Sequence, residues 1–204
     1  GSPNVVLNRC RFSTNAGCCA FGSLTAVNTL FAASTGSYLF GTYNTTNSYF
    51  ENCTFASTVA KPVINTSATA FDPEVTLSNC LFWRQDGGAL FSGITERSTL
   101  VCSNCCFSVA LDAPTASRIT QVNCVTGDPV FTDASSGDWS IRRRSPCRDG
   151  GKRLDWMDAA STDLAGNPRV VCDGKTLAEI PSAKPDIGCY ENQDIRKGSV
   201  VTVH

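Results

Sequence analysis

A chain of 204 residues that is 42% hydrophobic and 17% charged has the apolar side chains for a core and too few charges for a disordered segment. With a net charge of −1, no basic excess points to nucleic acid, and no run of about 18 apolar residues points to a membrane span. Twelve cysteines stand beside one histidine, His204, and Cys102-Ser-Asn-Cys105 is a CxxC without a second pair at a workable distance, so the usual zinc patterns are absent.

In chain order, Gly1-Ser2-Pro3 reads as a vector-derived start, from which a signal peptide or N-terminal region is expected to have been removed. The first unit follows as "LNRCRF" (7–12), and its phrase returns as "YFENCTF" (49–55), "LSNCLF" (77–82) and "CSNCCF" (102–107). Aligned on the cysteine, the units fall at Cys10, Thr29, Cys53, Cys80, Cys105 and Cys124, with intervals of 19, 24, 27, 25 and 19 residues. The preceding residue is Arg9 and then Asn28, Asn52, Asn79, Asn104 and Asn123, and two positions after it come Phe12, Phe31, Phe55, Phe82, Phe107 and Thr126. A second apolar register, Ala20-Phe21, Leu39-Phe40, Val63-Ile64 and Leu90-Phe91, keeps a constant offset, so the length variation falls in one loop per unit.

Period-two alternation marks strands, and units of 20 to 25 residues with two or three short strands are coils of a solenoid. Stacked coils place equivalent residues about 4.8 Å apart. Asn suits a turn because it tolerates the left-handed backbone region, and its amide is expected to bond to the Asn above and below. Cys and Phe then face inward. The fold predicted is all-β: a right-handed parallel β-helix of about six coils over 4–126. An irregular C-terminal segment, 127–192, is expected to pack on the last coil as a cap through Trp139, Ile141, Leu154, Trp156, Ile187 and Tyr190, and 193–204 is a tail or an extra strand. Charge supports this division: residues 1–126 carry six acidic and six basic side chains, the shorter remainder twelve and eleven. No comparable cap precedes Val5, so a longer solenoid, or stacking of another copy on an uncapped first coil, is expected there.

The repeats resemble the right-handed parallel β-helix superfamily. "DPVFTDASSGDWSI" (128–141), "RSPCRDGG" (144–151), "TDLAGNPRV" (162–170) and "PDIGCYE" (185–191) are similar to the closing segment of bacterial exported β-helix proteins of the choice-of-anchor Q type. The resemblance implies an exported or cell-surface protein of bacterial origin. It does not imply one activity, because such β-helices serve as adhesins, passenger stalks and carbohydrate-active enzymes.

Lyases of that fold resemble one another in holding calcium with Asp and Glu beside an Arg or Lys base, and its hydrolases use clustered aspartates. Here the outward positions beside the ladder are nearly uncharged, Arg11 and Glu51 excepted, which gives no catalytic constellation. The loops are richer. Trp83-Arg84-Gln85-Asp86 combines an aromatic face, a cation, an amide and a carboxylate, a set that can stack on and hydrogen-bond to a sugar. Neighbouring loops add Tyr38, Tyr43, Asn44, Phe71, Asp72, Glu74, Glu96 and Arg97, and Asp86 with Glu96 is the candidate acid pair. In the cap, Asp149, Asp155, Asp158 and Asp163 could suggest calcium, although their Gly- and Ser-rich surroundings read equally well as turns, and no residue set is assigned to a metal. Arg142-Arg143-Arg144 reads as a solvated strand edge. Ladder cysteines are read as buried thiols, and disulfides are expected rather among Cys147, Cys172 and Cys189, or from Cys18 or Cys19.

The expected function is a non-enzymatic surface module, structural or adhesive, whose variable loops contact a glycan or host-surface ligand. The alternative is a polysaccharide lyase or glycoside hydrolase with part of its site on the loops around Trp83.

Overall fold

A computed structural model describes residues 5–15, 20–33, 35–42, 47–66 and 72–194, with Ala20 and Phe21 described by their backbone alone. Tyr43, Asn44, Phe71, Cys18, Cys19 and the tail from 195 to His204 lie outside the described residues.

The chain winds coil by coil. The first three coils are β1 (Val5–Asn8), β2 (Arg11–Ser13) and β3 (Ala20–Phe21); β4 (Leu24–Val27), β5 (Leu30–Ala32) and β6 (Phe40–Gly41); and β7 (Ser48–Glu51), β8 (Thr54–Ser57) and β9 (Ile64–Asn65). A fourth holds β10 (Glu74–Ser78), β11 (Leu81–Arg84) and β12 (Phe91–Ser92). In the fifth, β13 (Thr99–Ser103) and β14 (Cys106–Phe107) lead into a short helix, α1 (Ala113–Ala116), and β15 (Ile119–Val122) and β16 (Val125–Thr126) form the sixth. Equivalent strands pair in parallel and in register, giving two six-stranded sheets and one four-stranded sheet, β3-β6-β9-β12. This is the predicted parallel β-helix.

The first corner of every coil turns at the predicted residue. Arg9, Asn28, Asn52, Asn79, Asn104 and Asn123 all sit at φ between 48 and 52°, the left-handed region that Asn enters more readily than most side chains. Inside, Phe12, Phe31, Phe55, Phe82 and Phe107 form one column, with successive ring centroids 5.5, 4.9, 5.2 and 5.4 Å apart and nearly parallel planes. The ladder thiols fill the next slot, each donating to a carbonyl of the coil before it: Cys53 to Ala26, Cys80 to Phe50, Cys105 to Leu77 and Cys124 to Cys102.

The C-terminal segment touches the last coil as expected, through Val125, but not across its open end. The interior core includes no residue beyond Cys124, so the segment does not plug the end of the solenoid. At that end Val109 and Leu111, in the loop that carries α1, pack against the core. The segment, with the antiparallel hairpins β17 (Phe131–Asp133) and β18 (Asp138–Ile141), then β19 (Val171–Cys172) and β20 (Lys175–Thr176), lies along the side of the coils instead. Trp139 and Cys189 cover Leu30, Ala32 and Ala56 of the second and third coils, while Ile141, Cys147 and Ile187 cover Leu81 and Cys106 of the fourth and fifth, with Val125 of the last coil packed against the same cluster. The reason is the outward face of the second sheet. Its apolar side chains gain about 1.5 to 3 kcal/mol each, for the large ones, when buried. The outward face of the first sheet keeps Val6 69% and Tyr49 41% exposed. Leu154 and Trp156 pack with Met157, Val170 and Leu177 in a small core of the segment's own.

Asn side chains tie this segment down, rather than forming a continuous amide ladder. Asn28 Nδ2 donates to Thr162 O at 3.0 Å, and Arg9 reaches Thr162 Oγ1 at 2.8 Å. Asn79 holds one peptide unit at both ends, donating to Lys152 O at 2.7 Å and accepting from Lys152 N at 2.8 Å. The Asn52 amide lies between Asn79 Nδ2 at 3.2 Å and the Arg169 guanidinium; with its oxygen turned to Arg169 it accepts from Nε at 2.9 Å and from Nη2. We assign that orientation because a charged two-pronged donor outweighs a single neutral amide. Gly188, at φ 105°, brings the segment's backbone onto the sheet: its N–H reaches Asn79 O, and a Cβ there would lie 2.7 Å from Thr54 Oγ1.

Arg169 is fully buried, donating to Asp186 O and Gly188 O, with Glu191 Oε2 3.8 Å from Nη1. Burial pushes the Asp186 carboxyl from an ordinary 3.8 up to about 6, and burial with the nearby Asp186 charge pushes Glu191 well above its usual range. An acid whose folded-state value is raised contributes stability that is fully present below its unfolded value and lost as pH rises through the folded one. For Asp186 the window runs from about 4 to about 6 and is worth roughly 3 kcal/mol. The exposed Asp86, Asp112, Asp133 and Asp158, held low by hydrogen bonds, act oppositely, losing their contribution only as pH falls below about 4. Urea-unfolding midpoints are therefore expected to fall between pH 4 and pH 7, and Asp186→Asn to flatten much of that slope; the same slope in the variant would contradict this assignment.

Candidate functional site

The second sheet and the β17–β18 hairpin do not close on each other completely. Between them lies a cavity of about 690 Å³ whose floor is outward residues of successive coils, Arg11 and Ser13, Ala33, Thr58, then Trp83 and Gln85. Thr14 and Ala33, at φ 58° and 49°, turn the first two coils out of the sheet at its edge. Ala134 to Gly137, the tight turn of the hairpin, forms the roof; Asp133 closes that turn, accepting from Ser135 N, Ser135 Oγ and Ser136 N. Trp139 is the rear wall, 2% exposed.

Three aromatic rings support this wall. Trp83 meets Phe131 at 5.6 Å and Trp139 at 5.7 Å, and Phe131 meets Trp139 at 5.2 Å, all edge to face. The arrangement fixes Trp83 while leaving it half-buried, with Gln85 exposed beside it. A cavity of this volume, with an aromatic surface and a few hydroxyls and amides on its rim, is of ligand-binding size.

A second chamber of about 490 Å³ adjoins the first, sharing Arg11, Ser136 and Gly137. Arg11 Nη2 donates to Gly137 O at 2.8 Å and so bridges from coil to hairpin where the two chambers meet. Asp138, Asp163, Asn167, Tyr190 and Glu191 line this second space. Its carboxylates are engaged: Asp138 by Ser140 N and Oγ, Asp163 by the backbone N–H groups of Asn167 and Glu191, and Glu191 by those of Val171 and Asp186.

The Trp83-to-Asp86 tetrad is split by strand alternation. Trp83 and Gln85 face the cavity, whereas Arg84 turns away and is 8% exposed, forming a two-pronged ion pair with Asp86 at 2.8 and 2.6 Å and donating to Ala89 O. The Arg84 guanidinium holds the Asp86 carboxyl below the usual range, so Asp86 is a poor proton donor at neutral pH. Glu96, 91% exposed, faces Arg118 at 3.9 Å. The two acids of the candidate pair thus have separate cationic partners, as does Asp72, which pairs with Arg97 at 3.0 Å.

The cap aspartates go to turns and clasps. Asp158 accepts from Ala160 N and Ser161 Oγ, Asp163 is used as above, and Asp149 donates its backbone N–H to Asp186. Among the described residues no group of three or more His, Cys, Asp or Glu side chains comes together as a metal site. The two charged outward residues beside the ladder both anchor the C-terminal segment, Arg11 on Gly137 and Glu51 as acceptor from Trp156 Nε1 at 2.6 Å.

Sequence reasoning missed the roof of the cavity and the rim residues Ser13, Thr14 and Thr58. The turn in "DASSGD" was visible, but nothing local shows that it lands beside Arg11. No protein-family model, no curated protein and no solved structure matches the chain.

Arg11→Ala removes the bridge between hairpin and first coil without touching the core. Hydrogen exchange at 134–137 is expected to speed up severalfold, with a global stability loss of about 1 kcal/mol. Unchanged exchange there would show that the packing of Phe131, Trp139 and Ile141 holds the hairpin without that bond.

Proposed function

We propose that this chain is a non-enzymatic β-helix module, exported and displayed at a bacterial cell surface like the choice-of-anchor Q proteins its closing phrases resemble, and that it binds a glycan in the chamber beneath the β17–β18 hairpin. The observation that carries the reading is Trp83, clamped by Phe131 and Trp139 yet half-exposed to a cavity of about 690 Å³. A rigid aromatic face takes the C–H face of a sugar ring at little entropic cost, while Gln85, Ser13, Thr58 and Ser135 offer neutral hydrogen-bonding groups to its hydroxyls. The coils supply the stiff stalk, and the laterally packed segment supplies one wall of the site.

The polysaccharide lyase or hydrolase reading draws less support from the same geometry. A two-carboxylate mechanism needs one acid free to donate a proton and another free to attack or to activate water. The carboxylates lining the second chamber accept hydrogen bonds from backbone or serine groups instead.

A printed glycan array probed with labelled protein tests the reading. Binding to a restricted set of structures is expected, and Trp83→Ala should weaken it at least tenfold with an unchanged far-UV circular dichroism spectrum. Retention of full binding by that variant, or no binding by the parent chain, would contradict the proposal. New reducing ends or unsaturated products from the bound glycans would favour the catalytic reading.

A further inference from the structure

The three cysteines of the C-terminal segment do not gather. Cys147 belongs to the cluster with Leu81, Cys106, Ile141 and Ile187; Cys189 lies over Leu30 and Ala56; Cys172 packs with the segment's own small core. The ten described cysteines are all free thiols in this structure, and Cys147, Cys172 and Cys189, lying in three separate clusters, are not placed to bridge to one another as expected. Only Cys147 meets a coil cysteine across the interface in its cluster. Its side chain packs in one cluster with that of Cys106, on the outward face of β14; both residues are completely buried, and the neighbouring Cys106 thiol together with burial pushes the Cys147 thiol well up.

We infer that Cys106 and Cys147 are a disulfide site that staples the C-terminal segment to the fifth coil. Both main chains are already held in place. Cys106 N donates to Cys80 O at 2.9 Å; Cys147 N donates to Ser145 Oγ at 3.1 Å, and Cys147 O accepts from Ile187 N at 2.9 Å. Two buried cysteines in one cluster on pinned backbones have little freedom left to lose on bonding. The surroundings hold the approach as well: Cys106 Sγ lies 3.7 Å from Gly127 O, and a Cβ on Gly127 would be 3.3 Å from the ring of Pro146, the neighbour of Cys147. The ladder cysteines differ, since in-register parallel strands aim their Cβ atoms alike and fit the disulfide dihedral poorly.

In the reaction two S–H bonds break and one S–S bond forms. The two electrons and two protons pass to a disulfide oxidant such as oxidised glutathione, whose own S–S bond breaks to give two thiols. Because both sulfurs are buried, the bond forms while the chain folds. The loop it closes contains β15, β16 and the β17–β18 hairpin, so the last coil can no longer peel from the stack independently of its side cover. This inference rests on the exported placement proposed above, because an oxidising compartment is where such a bond persists. Its test does not, and glycan binding and disulfide formation can fail separately.

The reduced, denatured full chain is refolded in oxidised and reduced glutathione, alkylated in denaturant without reductant, digested with trypsin and mapped by mass spectrometry. The expected product joins peptide 145–148 to peptide 98–118, with Cys102 and Cys105 alkylated. Against a reduced control, the oxidised protein should show a higher urea midpoint. Cys106→Ala should abolish the link and leave Cys147 alkylated; Cys147→Ser should leave Cys106 alkylated and serves where the first variant folds poorly. Natively folded parent protein with Cys147 alkylated, or a Cys147 link that survives Cys106→Ala, would overturn the assignment.

Discussion

The left-handed turn at the first corner of each coil is the constraint on which the rest depends. An L-residue other than Gly loses roughly 1 to 2 kcal/mol in that region, and Asn loses less because its short amide finds local partners. Repeating the turn at Arg9, Asn28, Asn52, Asn79, Asn104 and Asn123 sets the register of both six-stranded sheets and fixes which side chains point inward. It also lines the amides up along one edge of the solenoid. There they act as a second set of main-chain partners, gripping Thr162, Lys152 and Arg169 of a segment far away in sequence.

That grip turns a regular stack into a molecule with a site. A bare second sheet would expose Leu30, Ala32, Ala56, Leu81 and Cys106, all buried in the folded chain. The segment covers them at the level of Trp139, Ile141 and Ile187, but near the first coil its hairpin stands off and is joined by the Arg11–Gly137 bond. The chamber is the space left at that stand-off. Its floor belongs to the rigid coils and its roof to a tight turn, the usual division between scaffold and binding loop.

The coil architecture was legible because every repeat states it again, and each ladder position has a single physical role. Side cover was legible in part. Outward residues on the strand after the corner include Leu30, Leu81, Cys106 and Val125 beside Arg11 and Thr54, whereas those before it mix Thr25, Tyr49 and Thr76 with Val6, Val27, Val101 and Val122, so the face after the corner is the more apolar by a small margin. What masked this is that solenoid ends also need covering, so one apolar segment could have served either purpose. Alternation within β11 would have separated Trp83 from Arg84, since neighbouring strand residues face opposite sides. Arg11 meeting Gly137 carries no local signal at all, because only the path of the segment brings them together.

Where the C-terminal segment is held decides whether the site exists, and amide hydrogen exchange of the parent chain and of Arg169→Met reads that directly. Removing the guanidinium leaves Glu191 and Asn52 without their buried partner. Faster exchange is expected across 161–192 together with β5 and β8, the strands beneath that segment, while β15 and β16 keep their protection. Loss of protection confined to β15 and β16, the last coil, would contradict this placement and return the segment to the end of the stack.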